Sequence, residues 1–384
     1  MPLTLTTPQT HTATKSWLDA WHVAPSLNRD YDFIDGLRGL AILMVVVSHH
    51  FYINPSSGVL MHYAGAVIGS GADGVILFYA LSGFLISWPF WKRKATSAVR
   101  AVPQGYAQRR FWKIYPPLAL SILLLTPFYI LTTSDGSYLS IGAKWLTGLP
   151  FIVPISGKFN PVMWTLVVEV QFYITLPLVF LCFKRVSPKT SLVIIAVLFL
   201  IIPFLTRALT GQRPTLFPNI DSHYPAALDV FSFGVLVAGL ESFGYVKESW
   251  VRWAIAGMIL WPLACLISAW ASQQPAYQSF AMTELVQGAL RVSAACLLLF
   301  IAQPKHPIAR ILCVPWLRWC GIISYEWYLF HQPFANWARV RFGPAHGDIL
   351  NFALLIGIPF VISLIGSATI YRFFSLPLLR YGRQ

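Results

Sequence analysis

Apolar residues run along this chain in blocks of about 18 to 25, the length at which a helix crosses the hydrocarbon core of a bilayer. Short polar segments separate the blocks. The pattern predicts spans at approximately 37–54, 65–90, 114–132, 162–182, 190–206, 225–242, 250–271, 284–302, 319–338 and 349–373. An all-α fold follows, a polytopic membrane protein built as a bundle of about ten transmembrane helices. The first thirty residues are polar and lack an apolar core, so no cleavable signal peptide is predicted. The expected organisation is a polar cytoplasmic segment over 1–30 and one transmembrane domain over 31–384, with no soluble block or short repeat.

Charge adds orientation. Only 11% of residues are charged, against about a quarter in soluble domains. The net charge of +14 invites a nucleic-acid reading, but its distribution argues against one. Lys and Arg fall mostly in short loops between alternate apolar blocks. The densest cluster, Lys92, Arg93, Lys94, Arg100, Arg109, Arg110 and Lys113, lies between the second and third spans. The positive-inside bias places that loop, and with it both termini, on the cytoplasmic side of the inner membrane. The five cysteines fall in or beside spans without metal-ligand spacing, so neither a metal site nor a disulfide framework is expected.

Seven ionisable residues remain inside the predicted spans: His49, His50, Glu169, Asp229, Arg291, Glu326 and His331. Each costs about 2.5–3.5 kcal/mol or more at mid-bilayer when charged, so such residues face polar interiors and carry function, or pair to hold the bundle. Two classes of protein use them: membrane enzymes, and transporters or flippases whose buried groups line a substrate path.

Five segments concentrate the chemistry. In DGLRGLAILMVVVSHH (Asp35–His50), Arg38 and His49 lie within about 20° on one helical face and about 16 Å apart along the axis. His50 is turned by a further 100° or so. Arg38 suits a phosphorylated carrier at the inner interface, and equally a snorkelling anchor. In GVILFYALSGFLIS (Gly74–Ser87), Gly74, Ser82 and Gly83 allow close helix approach. The expected loop RRFWKIYPP (Arg109–Pro117) brings Arg109, Arg110, Lys113 and aromatics together. These suit phosphate binding or a basic anchor. In MWTLVVEVQFYITLPL (Met163–Leu178), Glu169 lies roughly 8 Å below the outer interface, a depth that His49 also reaches. A carboxylate meeting the imidazole there would fix its tautomer for general acid–base work, so the two are expected within direct or single-water hydrogen-bonding reach. In GIISYEWYLFHQP (Gly321–Pro333), Ser324, Tyr328 and His331 recur at i, i+4 and i+7 on one face. They are candidates for holding an acceptor or supporting the reacting groups, and Arg291 is grouped with them. A structural role for His331 suits the spacing as well.

Taken in this order, the five segments resemble the bacterial membrane acyltransferase family 3, which includes O-acetylases of surface polysaccharides. The resemblance covers the chain from about Asp35 to beyond Pro333. It carries the family's essential arginine and histidine onto Arg38 and His49, and the glutamate of its Trp-Ser-Leu motif onto Glu169. It implies acyl-CoA, acetyl-CoA above all, as cytoplasmic co-substrate and an extracytoplasmic carbohydrate hydroxyl or related group as acceptor. The sequence departs from the family at Ile76, Val170, Lys113 and Thr165, where many members have Asp, Glu, Arg and Ser. The chain also lacks the soluble esterase-like domain fused to some members. The expected roles are His49 and Glu169 in catalysis and Arg38, Arg109, Arg110 and Lys113 at the donor.

Overall fold

A computed structural model describes residues 17–22, 32–50, 63, 67–98, 100–151, 159–210, 228–272, 280–342 and 353–382. These fold almost wholly as helices: α1 (Asp32–His50), α2 (Gly74–Ala95), α3 (Tyr106–Thr133), α4 (Ser137–Leu146), α5 (Trp164–Cys182), α6 (Pro188–Thr210) and α7 (Asp229–Ser242) form the first part. They are followed by α8 (Val251–Ser272), α9 (Phe280–Leu298), α10 (Pro307–Leu312), α11 (Pro315–Ile322), α12 (Ser324–Phe342), α13 (Ile358–Ile370) and α14 (Leu376–Tyr381). Every predicted span coincides with one of these helices or runs. The ends predicted at 51–54, 65–66, 225–227 and 349–352 lie outside the described residues.

Eight helices among the described residues are long and apolar enough to cross a membrane. Of the other two predicted spans, α7 has 14 residues, and α12 carries Glu326, His331, Gln332 and Asn336 along its 19 residues. Both are mostly buried within the bundle rather than turned to lipid. Outward faces are apolar instead: Leu123, Leu131, Ile174, Leu178, Val193 and Ile259 are all exposed. This multi-pass membrane protein puts its polar side chains inside, because lipid offers them no partner.

Two expected boundaries differ. Arg109–Pro117 is no loop: it forms the first turns of α3, which begins after Gly105 in the left-handed conformation (φ 65°). The apolar block marks only what lipid needs, whereas Ala, Gln, Arg and Lys ahead of it are good helix formers that extend the helix. The ninth span is also broken, with α11 ending at Ile322 and α12 starting at Ser324. Gly321 and His331 therefore sit on separate helices.

Helix contacts are made by absent side chains. A Cβ on Gly39 of α1 would lie 1.9 Å from the Leu317 carbonyl oxygen, and one on Gly321 of α11 would lie 1.9 Å from that of Asp35. The α2–α7 crossing works the same way through Gly83 and Gly234, whose Cβ would meet the Phe231 and Ala80 carbonyls at 2.3 and 2.0 Å. Without a hydrophobic force between helices in lipid, such close backbone approach supplies the association. Residues Trp17–His22 and the C-terminal α14 meet at the end of the bundle where α3 begins. Leu18 is buried among Ile322, Ile323, Tyr371 and Leu376, and the Trp112 and Tyr381 rings are in edge contact at 5.6 Å.

Gly39→Ala should destabilise the protein by about 1–3 kcal/mol or more, since backbone rather than a side chain must move. Gly288→Ala, where a Cβ meets nothing within 4 Å, should be silent. Thermal unfolding of the two variants in the same detergent checks the contrast.

Candidate active site

The polar residues of five helices converge on two connected cavities. The narrower, of about 80 Å³, is lined by Arg38 of α1, Ser82 of α2, Lys113 of α3, Glu169 of α5 and Ser324 and Tyr328 of α12, among aromatic and aliphatic neighbours. The wider, of about 380 Å³, shares Arg38, Ser82, Lys113 and Tyr173 and adds Arg109, Arg110, Asp35, Glu326 and His22. Arg38 and Lys113 stand where the two meet. The four expected donor-binding cations thus border one space. Arg110 is steadied there by the rings of Tyr173 and Tyr106, at 5.4 and 5.8 Å.

Within the narrow chamber the hydroxyls are tied to one another. Arg38 Nη2 donates to Ser324 Oγ at 3.0 Å. Glu169 Oε1 accepts from Ser82 Oγ at 2.9 Å and from the Tyr173 hydroxyl. Thr165 Oγ1 and the Tyr328 hydroxyl are 2.9 Å apart, and the Tyr79 hydroxyl donates to the Thr165 carbonyl at 3.2 Å. Four helices are stitched across the chamber by these bonds.

His49 lies further along the same stripe of α1, as its phase requires. Its Nδ1 is 3.1 Å from Nε2 of His331, a fully buried residue. The His331 Nδ1 is 3.1 and 2.9 Å from the carbonyls of Trp327 and Tyr328. A carbonyl only accepts, so His331 Nδ1 carries the proton and its Nε2 is bare. The network therefore assigns the proton of the shared bond to His49 Nδ1, leaving His49 Nε2 unprotonated. His50 turns elsewhere: it is buried, donates from Nδ1 to the Val46 carbonyl at 2.8 Å, and packs on Phe360.

The expected pairing of His49 with Glu169 does not form as a direct bond. Glu169 faces the narrow chamber and is held by Ser82 and Tyr173, while the imidazole is held by His331. Equal depth left the azimuth open, and α12 occupies the position expected for α5. Ser324, Tyr328 and His331 share the face that the spacing predicted, and all three address α1 or α5. Arg291 borders neither cavity. It reaches Asp229 Oδ2 at 2.8 Å, and the same oxygen accepts from Arg207 at 2.8 Å. Sequence reasoning passed over Tyr173, whose i+4 spacing from Glu169 on one helix was the available signal. It also missed Tyr79 and Tyr325, which carried none. Among the described residues no cluster of His, Cys, Asp or Glu could hold a metal.

Comparison with known proteins identifies the family. An acyltransferase domain model matches residues 31–372. The chain belongs to that acyltransferase family. It is 24% identical to the peptidoglycan O-acetyltransferase OatA of Listeria monocytogenes, over 91% of this chain and 56% of that protein. It is 27% identical to the acyltransferase MdmB of Streptomyces mycarofaciens, over 47% of this chain and 48% of that one. The chain thus spans about half the length of these curated relatives. No solved structure matches it significantly. Of the two classes that buried ionisable groups suggested, enzyme or transporter, the family favours the enzyme.

Asp229→Ala should remove the carboxylate that Arg207 and Arg291 share and cost about 3–5 kcal/mol, the penalty for breaking a buried ion pair. Loss of detergent-stable folded protein, restored in part by also replacing Arg291 with Met, is the expected outcome by size-exclusion chromatography.

Proposed function

We propose that the protein is an O-acyltransferase that takes an acyl group, acetyl by preference, from acyl-CoA on the cytoplasmic side of the inner membrane and transfers it to a hydroxyl of an extracytoplasmic carbohydrate or related acceptor. One observation carries the reading. A basic vestibule narrows at Arg38 and Lys113 into a small chamber, and a histidine with a bare Nε2 lies beyond on the same stripe of α1. The basic start of α3 and both described chain ends share the vestibule's end of the bundle, which supports a cytoplasmic setting for all three.

In this reading Arg38, Arg109, Arg110 and Lys113 hold the phosphates of the donor, with Arg forks suited to paired oxygens. The donor's arm extends through the constriction and presents its thioester in the chamber. Glu169 keeps the Ser82 and Tyr173 hydroxyls turned into that chamber. His49 Nε2 takes the proton of the acceptor hydroxyl, whose oxygen attacks the thioester carbonyl. The carbon–sulfur bond then breaks, and coenzyme A leaves inward as thiol after taking up a proton. His331 is a positioning residue that fixes the His49 tautomer. Arg291 serves the bundle through Asp229. The O-acetyl transfer named for the Listeria relative supports the hydroxyl acceptor.

Purified protein supplied with acetyl-CoA and a carbohydrate acceptor should release free thiol. His49→Ala should lower kcat by about 10²–10⁴, the range of general-base contributions, and His50→Ala should retain substantial activity. Equal losses at equal folded yield would remove the case for His49. Arg38→Lys should raise the KM for acetyl-CoA, because a point charge replaces a fork. A rise confined to the acceptor KM would overturn the donor assignment.

A further inference from the structure

The wall of the vestibule is completed by a piece of chain outside the region that the family model matches. Residues Trp17–Ala20 form a single 3₁₀ turn, and Trp21 and His22 continue it across the mouth of the bundle. Leu18 is its buried anchor, only 1% exposed. Trp21 stacks on Tyr371 with centroids 6.2 Å apart and meets the edge of Trp319 at 5.6 Å. The Arg372 guanidinium lies 5.8 Å from the same ring.

Three consecutive carbonyls of this segment are then satisfied by side chains from the C-terminal end. Arg372 donates to Ala20, Tyr371 to Trp21 at 2.9 Å, and Arg380 to His22 at 3.0 Å. Tyr371 and Arg372 begin a π turn (Tyr371–Ser375) between α13 and α14. Such a turn shifts the side-chain phase of a helix and is frequent at functional sites. The result brings His22 to the vestibule, with Nε2 3.8 Å from Asp35 Oδ2, and both residues line the cavity with Arg38, Arg109 and Arg110. His22, Leu379 and Gly382 line it from outside the matched residues 31–372.

A purely structural tie would need the Leu18 and Trp21 anchors and nothing more. Here the tie also fixes the backbone of His22 and delivers an imidazole to a space whose charged groups are four cations, Arg38, Arg109, Arg110 and Lys113, and two carboxylates, Asp35 and Glu326. We propose that the Trp17–His22 segment is part of the donor-binding site, with His22 the residue through which it contacts the phosphorylated donor. The proposal rests on reading the vestibule as the donor site. In the assembled enzyme the segment narrows the vestibule and supplies a hydrogen-bonding imidazole opposite the α3 cations. The donor thereby meets both chain ends before its arm enters the narrow chamber.

The test uses the full-length protein in detergent, with acetyl-CoA as donor and desulfo-coenzyme A as a non-reacting probe. His22→Ala, and Trp21→Ala which releases the segment, should each raise the KM for acetyl-CoA severalfold and weaken desulfo-coenzyme A by the same factor, with the acceptor KM unmoved. His22→Ala keeps the anchors, so it decides the matter even where Trp21→Ala folds poorly. An Arg109→Ala, Arg110→Ala double variant is measured alongside. If it weakens the donor while His22→Ala leaves donor KM and probe affinity unchanged, the segment has no part in the site and the donor reading survives. If neither weakens the donor, the vestibule is not the donor site and the proposal falls with that reading.

Discussion

The site depends on how closely α1 can approach the α11–α12 pair. Carbonyl oxygens of Leu317 and Asp35 occupy the space where Cβ atoms of Gly39 and Gly321 would lie, so the two backbones touch. That contact sets the register of α12 on α1. Arg38 meets Ser324 at one end and His49 meets His331 at the other. The interval is eleven residues on α1 and seven on α12, and the long Arg38 side chain spans the difference. A wider separation would break both contacts and leave the fully buried His331 Nε2 unmet, a loss of several kcal/mol where no water reaches.

The second organising fact is that hydroxyls, rather than ion pairs, knit the interior of the chamber. Ser82, Thr165, Tyr79 and Tyr328 each donate or accept across a helix boundary, and the Tyr173 hydroxyl holds Glu169 from within α5. Hydroxyls satisfy neighbours without adding charge, so the chamber stays polar while its charged groups, Arg38, Lys113 and Glu169, remain few. Charge is instead concentrated at the wider cavity, where water can share in solvating it. The separate Arg207–Asp229–Arg291 cluster shows the other use of buried charge in the same molecule, bracing α6, α7 and α9 away from the cavities.

The protonation of the His331–His49 pair rests on elementary acceptor logic. Because two carbonyls face His331 Nδ1, the proton positions along the pair follow without freedom, and the bare nitrogen is the one at the far side of His49. The companion His50 has the same residue type one position on, yet its Nδ1 is spent on its own helix. A turn of about 100° separates a ring bonded across helices from one bonded within its own.

Periodicity and composition by themselves determined a good deal. Apolar runs of span length admit only helices in lipid, which gave the bundle. The 3.6-residue repeat put Arg38 with His49, and Ser324 with Tyr328 and His331, each set on one face. These are properties of a single helix and need no neighbour. Only the tertiary structure decided which face meets which. Depth along the membrane suggested Glu169 for His49, but axial depth is one coordinate of two, and the missing angle placed His331 there instead. The helical character of Arg109–Lys113 and the docking of Trp17–His22 were likewise hidden. The first lies outside lipid, where no apolar run marks a helix. The second is a segment too short to read as an apolar run, and its order comes from rings and guanidinium groups contributed some 350 residues later in the chain.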